Sequence, residues 1–235
     1  MVDKYNMSKK DNIFYAKRSL VDMVYKSANL EGIAVTFAQT IDILNDAKVN
    51  NLKPSEISKV CDLRDGWQFI FEKIEEDADL NLVLIEETHE NVVKSDRDLA
   101  RNEKGFLRTS DVMISGTNWR PPIPDGDKIQ KELEELQKIP NNTDRAITTM
   151  LWLMRTQMFK DGNKRVATMI CNKILIGNGN GIMSIPVDLD GKFKEMLVKY
   201  YETNDMTELK QWIYNNCIDG IEPTIEINDN DELDR

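Results

Sequence analysis

Histidine is almost missing from this chain. Among 235 residues there is one, His89, which excludes any mechanism that needs two. Cysteine is scarce as well. Cys61, Cys171 and Cys217 are odd in number, lie far apart and form no CxxC pair. That argues against a zinc site and against a disulfide framework, and it fits a reducing compartment. An excess of positive charge is absent: 31 Lys and Arg face 41 Asp and Glu, for a net charge of −10. A chain this acidic lacks the basic footprint of a general nucleic-acid binder. Long apolar runs are absent too, and the N-terminal "MVDKYNMSKKDN" carries no apolar core of a signal peptide. No membrane association is therefore expected, and the expected location is the cytoplasm. What is present is 40% hydrophobic and 31% charged residues with few Gly and Pro, a composition able to bury a core. The length suits one large domain or two small ones.

Helical periodicity runs through most of the chain. Leu20, Met23, Val24 and Ser27 fall at i, i+3, i+4, i+7, and so do Trp67, Ile70, Phe71 and Ile74. Ile147, Met150, Leu151 and Met154 repeat the pattern, as do Phe193, Met196, Leu197, Tyr200 and Tyr201. Further helices are expected over 33–47, 55–62, 79–94, 127–138 and 207–217, the last capped by Asp205 or Thr207. Met150, Met154 and Met169 read as core filler. Lys131 and Glu132–Glu135 read as a solvated face. The segment after Asn163, with Val166, Ala167, Met169, Ile170, Cys171, Ile174, Leu175 and Ile176, is apolar on nearly every side and predicts a central helix. Two stretches break the rule. "LRTSDVMISGTNWRPPIPDG" (107–126) predicts an irregular hairpin followed by an extended Pro-rich piece, and "GIMSIPVD" (181–188) a short extended one. "GNGNG" (177–181) reads as a helix stop and turn. The tail over 221–235 is acidic and apolar-poor, the composition of a solvated segment.

The chemistry concentrates in "FKDGNKR" (159–165). Gly162 allows a tight turn and close approach to a ligand. The N–H groups from Gly162 to Arg165 open the central helix and, with its dipole, make an anion site. Lys164 and Arg165 add charge, and Arg165 has the planar fork that suits phosphate. Asp161 beside a phosphate site is a natural Mg²⁺ ligand. Asn163 caps the helix or donates to a phosphate oxygen. By itself Asp-Gly-Asn is also an ordinary helix start, and no GxxxxGK[ST] loop is present.

These residues resemble the signature of the Fic (Fic/Doc, or Fido) proteins. There a His-Pro-Phe is followed by Asp or Glu, then Gly-Asn, Lys or Gly, Arg, and sometimes a second Arg three residues on. Phe159, Asp161, Gly162, Asn163, Lys164 and Arg165 match in order and spacing. "GFLRTSDVMISGTNWRPPIP" (105–124) resembles the family's flap, here Val112, Met113, Ile114, Ser115 and Gly116, and "LIEETHENVV" (84–93) the helix before it. "SANLEG" is similar to the family's N-terminal inhibitory motif through Ser27, Glu31 and Gly32, although its residues also read simply as a helix end with Gly32 as cap. The resemblance spans roughly residues 20–217. It implies an all-α fold with a small β-hairpin flap, N-terminal helices over 1–50, a Fic core over 51–220, and the acidic tail. It further implies AMPylation: transfer of AMP from ATP, with Mg²⁺ on Asp161, to a hydroxyl of a protein docked along the flap. A homodimer is also compatible with it. His89 is expected on a helix surface or interface, outside the reaction centre. Trp119 reads equally as a flap anchor or a packing residue.

The sequence departs from the signature at two places. Gln157 stands where the family has its catalytic histidine, with Met158 in place of Pro. An amide is no general base near neutral pH, and such a base contributes about 10²–10⁴-fold. Thr168 replaces the second arginine, so Glu31 would have to meet Lys164, Arg165 or backbone donors. The expectation is a nucleotide-binding transferase weakened at Gln157. The alternatives are a pseudoenzyme that binds nucleotide or peptide and regulates a partner, and phosphotransfer in the manner of the Doc toxins.

Overall fold

The computed structural model describes residues 1–222. From residue 223 onward the expected tail lies outside the described residues. Ten α-helices follow in order: α1 Lys9–Arg18, α2 Leu20–Leu30, α3 Phe37–Leu44, α4 Pro54–Glu75, α5 Leu82–Val92, α6 Gly126–Gln137, α7 Asn142–Thr156, α8 Asn163–Gly177, α9 Asp190–Thr203 and α10 Thr207–Asn216. The chain is all-α as expected. The described residues hold one small sheet, in which β1 (Ile182–Met183) pairs antiparallel with β2 (Ile218–Asp219).

Helix α8 is the axis of the molecule. Val166, Ala167, Met169, Ile170, Cys171, Leu175 and Ile176 are all buried, and α1, α4, α5 and α7 pack around it. An all-round apolar helix can satisfy its surface only by being covered on every side. Two asparagines tie this core to the chain beyond it. Asn172 on α8 donates to the Met183 carbonyl at 2.8 Å and accepts its N–H at 2.8 Å. Asn12 on α1 does the same for Gly181, at 3.2 and 2.7 Å. Each buried amide thus has partners, which removes the cost of desolvating it.

Several boundaries differ from the expectations. The stretches 55–62 and 67–74 belong to one 22-residue helix, α4. Gly66 within it does not break the helix; a Cβ there would lie 2.6 Å from Val92 Cγ1 and 2.9 Å from Met169 Cε, so glycine lets α5 and α8 approach. Helix α1 was not anticipated, because Asn12 occupies a core position that periodicity assigns to an apolar residue. Helix α3 starts at Phe37 rather than 33, where Thr36 and Gln39 form a capping box. Met206 is the N-cap of α10, and Asp205 supplies the acceptor for the Thr207 N–H at 2.9 Å. Glu132 is not purely solvated, since it accepts from Trp152 Nε1 at 3.0 Å.

Between α5 and α6 the flap segment closes through a turn at Ser115–Gly116 with Gly116 at φ +85°. No strand forms there. Pro121, Pro122 and Pro124 offer no N–H, and Arg108 instead engages the carbonyls of Ser110, Pro121 and Pro122 at 2.8, 3.1 and 2.5 Å.

Candidate functional site

Helix α7 ends in a left-handed residue. Gln157 has φ 50° and ψ 59°, an uncommon conformation for a non-glycine. The buried side chains of Met158 and Phe159 then pin the turn to the core. Asn163 folds back across it: its Oδ1 accepts the Phe159 N–H at 2.9 Å, and its Nδ2 donates to the Phe159 carbonyl at 2.8 Å and to Gln157 Oε1 at 3.2 Å. Asn163 is therefore a brace of the turn, neither helix cap nor free donor. Gly162 is the N-cap of α8, at φ +78°. A Cβ there would meet Val93 Cγ1 at 2.9 Å and His89 Cδ2 at 3.2 Å, so both conformation and space demand glycine.

The start of α8 brings free N–H groups and charged side chains together. The N–H groups of Asn163, Lys164 and Arg165 have no acceptor among the described residues. Gly162 N–H is the exception, because it donates to Asp161 Oδ1 at 2.7 Å. Arg165 is buried, and its guanidinium is largely engaged: Nη1 donates to the Val92 carbonyl at 2.7 Å and Nη2 to Asp161 Oδ2 at 2.9 Å. Asp161 remains half exposed. Burial opposes its charge, but Arg165, the Gly162 N–H and Lys164 outweigh that and hold its carboxyl below the usual carboxylate range.

Gln157 is tied at both ends of its amide. Nε2 donates to the Met154 carbonyl at 2.6 Å, and Oε1 accepts from Asn163. Tyr201 lines the same cleft as Gln157, and burial raises its phenol strongly. An amide held this way orients its neighbours and takes no proton.

Two residues that carry the turn escaped the sequence reading. His89 takes the interface of its two expected places, fully buried between α5 and the turn before α8, but its role there was not foreseen. Its Nδ1 accepts the Gly105 N–H at 2.9 Å, which places the ring proton on Nε2, 3.0 Å from the Asp161 carbonyl. The ring stacks on Phe159 at 3.8 Å with 4° between planes. Burial pushes its pKa down to about 4. Arg108 joins flap to turn: its Nε donates to the Gln157 carbonyl at 2.7 Å and its N–H to the Met158 carbonyl at 2.9 Å. A lone His and a lone Arg outside the motif give no sequence signal for such roles. Trp119 stacks over the Arg155 guanidinium at 3.7 Å, as a packing residue between the flap's far end and α7.

Helix α2 delivers Glu31 to the same place. The helix ends at Leu30, Glu31 is its C-cap, and Gly32 follows at φ +79°. Ser27 lies one turn back, and its carbonyl accepts the Glu31 N–H at 3.2 Å. The carboxylate is 3.2 Å from Lys164 Nζ and 3.4 Å from Arg165 Nε. These are ion pairs by distance without hydrogen-bond alignment, and Glu31 Oε1 and Arg165 Nε each lack a hydrogen-bond partner. A cleft of about 420 Å³ opens beside this pair, within the usual size range of ligand sites. Its wall joins Glu31, Gln157 and the 160–164 turn to Met113, Ile114 and Ser115 of the flap, and to Leu197 and Tyr201 of α9. Val112 and Gly116 stand outside that lining. Among the described residues no cluster of three or more His, Cys, Asp or Glu is arranged to hold a metal. Asp161 thus offers one carboxylate, which suits an ion shared with phosphate oxygens. No helix among the described residues is long and apolar enough to cross a membrane.

Comparison with known proteins agrees with this fold. Residues 79–175 match the model of the Fic/DOC family. A fragment of Fic-1 from C. elegans superposes with a TM-score of 0.73 at 20% identity, covering 86% of this chain and 62% of that one. A Fic-domain-containing signaling protein from Bacteroides thetaiotaomicron gives 0.71 at 18% identity, covering 87% and 80%. A Fic family protein from Desulfovibrio desulfuricans gives 0.67 at 16% identity, covering 85% and 62%. This chain therefore spans under two thirds of two of these structures. At such identities they show a shared fold. No curated protein matches.

Proposed function

We propose that this chain, whose residues 79–175 match the Fic/DOC family model, is a nucleotide-binding protein of the Fic type whose AMP transfer to a protein hydroxyl is weakened at Gln157. One observation carries the reading: Asn163 and Lys164, whose N–H groups are free, line one cleft beneath the flap together with Asp161. Phosphate groups suit that convergence of donors and dipole. Asp161 would hold Mg²⁺ with the phosphate oxygens, and the ion would neutralise charge as the transfer proceeds. Met113 and Ile114 with Leu197 offer apolar surface for a nucleoside, and the flap backbone, free of ladder bonds, offers edges to an extended target segment.

The chemistry needs one more part. The target hydroxyl attacks the α-phosphorus, pyrophosphate leaves, and the hydroxyl proton must go to a base. Gln157 has no pKa for that role, and its amide is already committed to Met154 and Asn163. Positioning and charge stabilisation survive without it. That same commitment favours a second reading, in which the protein binds nucleotide and regulates a partner without transfer. Glu31, resting on Lys164 and Arg165, occupies the cations a phosphate would use, and we assign it an inhibitory role in either case.

The test uses α-labelled ATP with Mg²⁺. Glu31→Gly is expected to bind ATP more tightly than the unaltered chain, and adding Gln157→His is expected to raise label transfer to protein about 10²–10⁴-fold. Binding to Glu31→Gly with no transfer even after Gln157→His supports the regulatory reading. ATP binding by none of the proteins would refute both.

A further inference from the structure

A cavity of about 650 Å³ lies apart from the cleft under the flap, and the two share no lining residue. Its size is that of a small-molecule site. Trp119 and Pro122 from the Pro-rich stretch, Ile129 and Leu136 from α6, and Trp152 from α7 form apolar walls. Indole and proline faces of this kind suit a flat ring. Two polar groups interrupt them. Arg155, in the last turn of α7, spends Nε on the Tyr201 carbonyl at 3.2 Å and lays its guanidinium against Trp119 at 3.7 Å. Among the described residues its two terminal nitrogens have no acceptor, and no acid pairs with it. Tyr200 is only 2% exposed, yet its hydroxyl has no hydrogen-bond partner among the described residues. Burial pushes this phenol up to about 12 while Arg155 pulls it down, so the hydroxyl keeps its proton at neutral pH and lies within the field of the guanidinium. A buried donor left unpaired is costly and marks a place where an acceptor belongs. The acids around the cavity, in contrast, are engaged. Glu132 accepts from Trp152 Nε1 at 3.0 Å and lies 3.7 Å from Lys128, Glu135 pairs with Lys138 at 2.5 Å, and Asp125 caps α6 by accepting the Lys128 N–H at 3.0 Å.

We propose that this cavity binds a small aromatic carboxylate, with its ring between Trp152 and the Pro-rich stretch and its carboxylate on Arg155 and Tyr200. The planar fork of Arg155 matches a carboxylate, and its two terminal nitrogens are free to take one. One guanidinium and one neutral hydroxyl suit a single negative charge. The carboxylates of Asp125, Glu132 and Glu135 on the same walls would oppose a second. The proposal does not depend on the nucleotide reading, because the cavity shares no residue with that cleft, although Thr156 and Tyr200 of the cavity adjoin Gln157 and Tyr201 of the cleft in the chain.

The test is an NMR titration of the full chain with indole-3-propionate and, separately, with its neutral primary amide. A ligand of this size binds in roughly the millimolar range or tighter, which such a titration reads. The chain has four tryptophans, so four indole N–H signals report where binding occurs. Trp119 and Trp152 line the cavity, and Trp67 and Trp212 do not. Trp119→Phe and Trp152→Phe assign the two signals. Shifts of Trp119 and Trp152 alone are expected, with the amide about tenfold weaker than the acid, the scale of one charge-assisted contact. Arg155→Met is expected to bring the acid down to the affinity of the amide and to leave the amide unchanged. Because Arg155→Met also frees the Tyr201 carbonyl, its amide titration reports whether the cavity is intact, and Tyr200→Phe serves as a second variant, expected to weaken the acid about fivefold. No shift at either lining indole, equal affinity for acid and amide, or an acid affinity unchanged in both Arg155→Met and Tyr200→Phe overturns the proposal.

Discussion

The sharpest physical prediction concerns His89. In the neutral ring both nitrogens are used: Nδ1 accepts from the Gly105 N–H and Nε2 donates to the Asp161 carbonyl. Protonation would put a second ring N–H against the Gly105 N–H, donor to donor, inside a buried site. Burial above all, with the nearby Arg165 charge, holds the pKa at about 4, while an unfolded histidine titrates near ~6.5. The sign follows. The unfolded chain takes the proton first as pH falls, so the stability conferred by neutral His89 is present above ~6.5 and drains away toward about 4. At 1.36 kcal/mol per pH decade the loss is about 2.5 kcal/mol by roughly pH 4.5. Because the chain has a single histidine, its ring resonances are unambiguous, and an NMR titration reads the midpoint directly. Denaturant unfolding of the native chain and of His89→Phe, at pH 7 and at roughly pH 4.5, reads the energy. Carboxylates elsewhere titrate in both proteins, so the difference isolates His89. His89→Phe is expected to be less stable at pH 7, with the Asp161 carbonyl and the Gly105 N–H left unpaired, yet to lose less on acidification. A folded-state midpoint near ~6.5, or equal acid losses in the two proteins, would refute the account.

Two further outcomes test the architecture around the site. Arg108→Met should leave the carbonyls of Gln157, Ser110, Pro121 and Pro122 without their donor, costing about 3 kcal/mol by denaturant unfolding and speeding proteolysis within 109–124; unchanged cleavage of that segment would show that something else fastens the flap. Gly66→Ala gains about 1 kcal/mol of helix propensity but forces a methyl to 2.6 Å from Val92 Cγ1, so a net loss of about 1–2 kcal/mol is expected. In a double-mutant cycle, Val92→Ala should relieve that overpacking, and strict additivity would count against the contact.

How much of this was legible in the sequence depends on the range of the interaction. Local rules reached the helices with clean periodicity, α7 and α9 among them, and the turn chemistry of Asp161, Gly162 and the helix start behind it. They joined neither half of α4, because Gly66 breaks a propensity rule for the sake of Val92 and Met169, which come from other helices. They missed α1, whose Asn12 is buried only because Gly181, far along the chain, supplies its partners.

The sequence by itself determined the all-α class, the apolar helix α8 and the glycine turn at its start, since each follows from residues within a few turns of one another. Only the tertiary structure decided that Asn163 braces that turn, that His89 holds the Asp161 carbonyl, and that Glu31 sits against Lys164 and Arg165. Those contacts join α2, α5 and α8. A buried hydrogen bond or ion pair between such distant segments leaves no periodicity behind, and its strength depends on exclusion of water that only the assembled core provides.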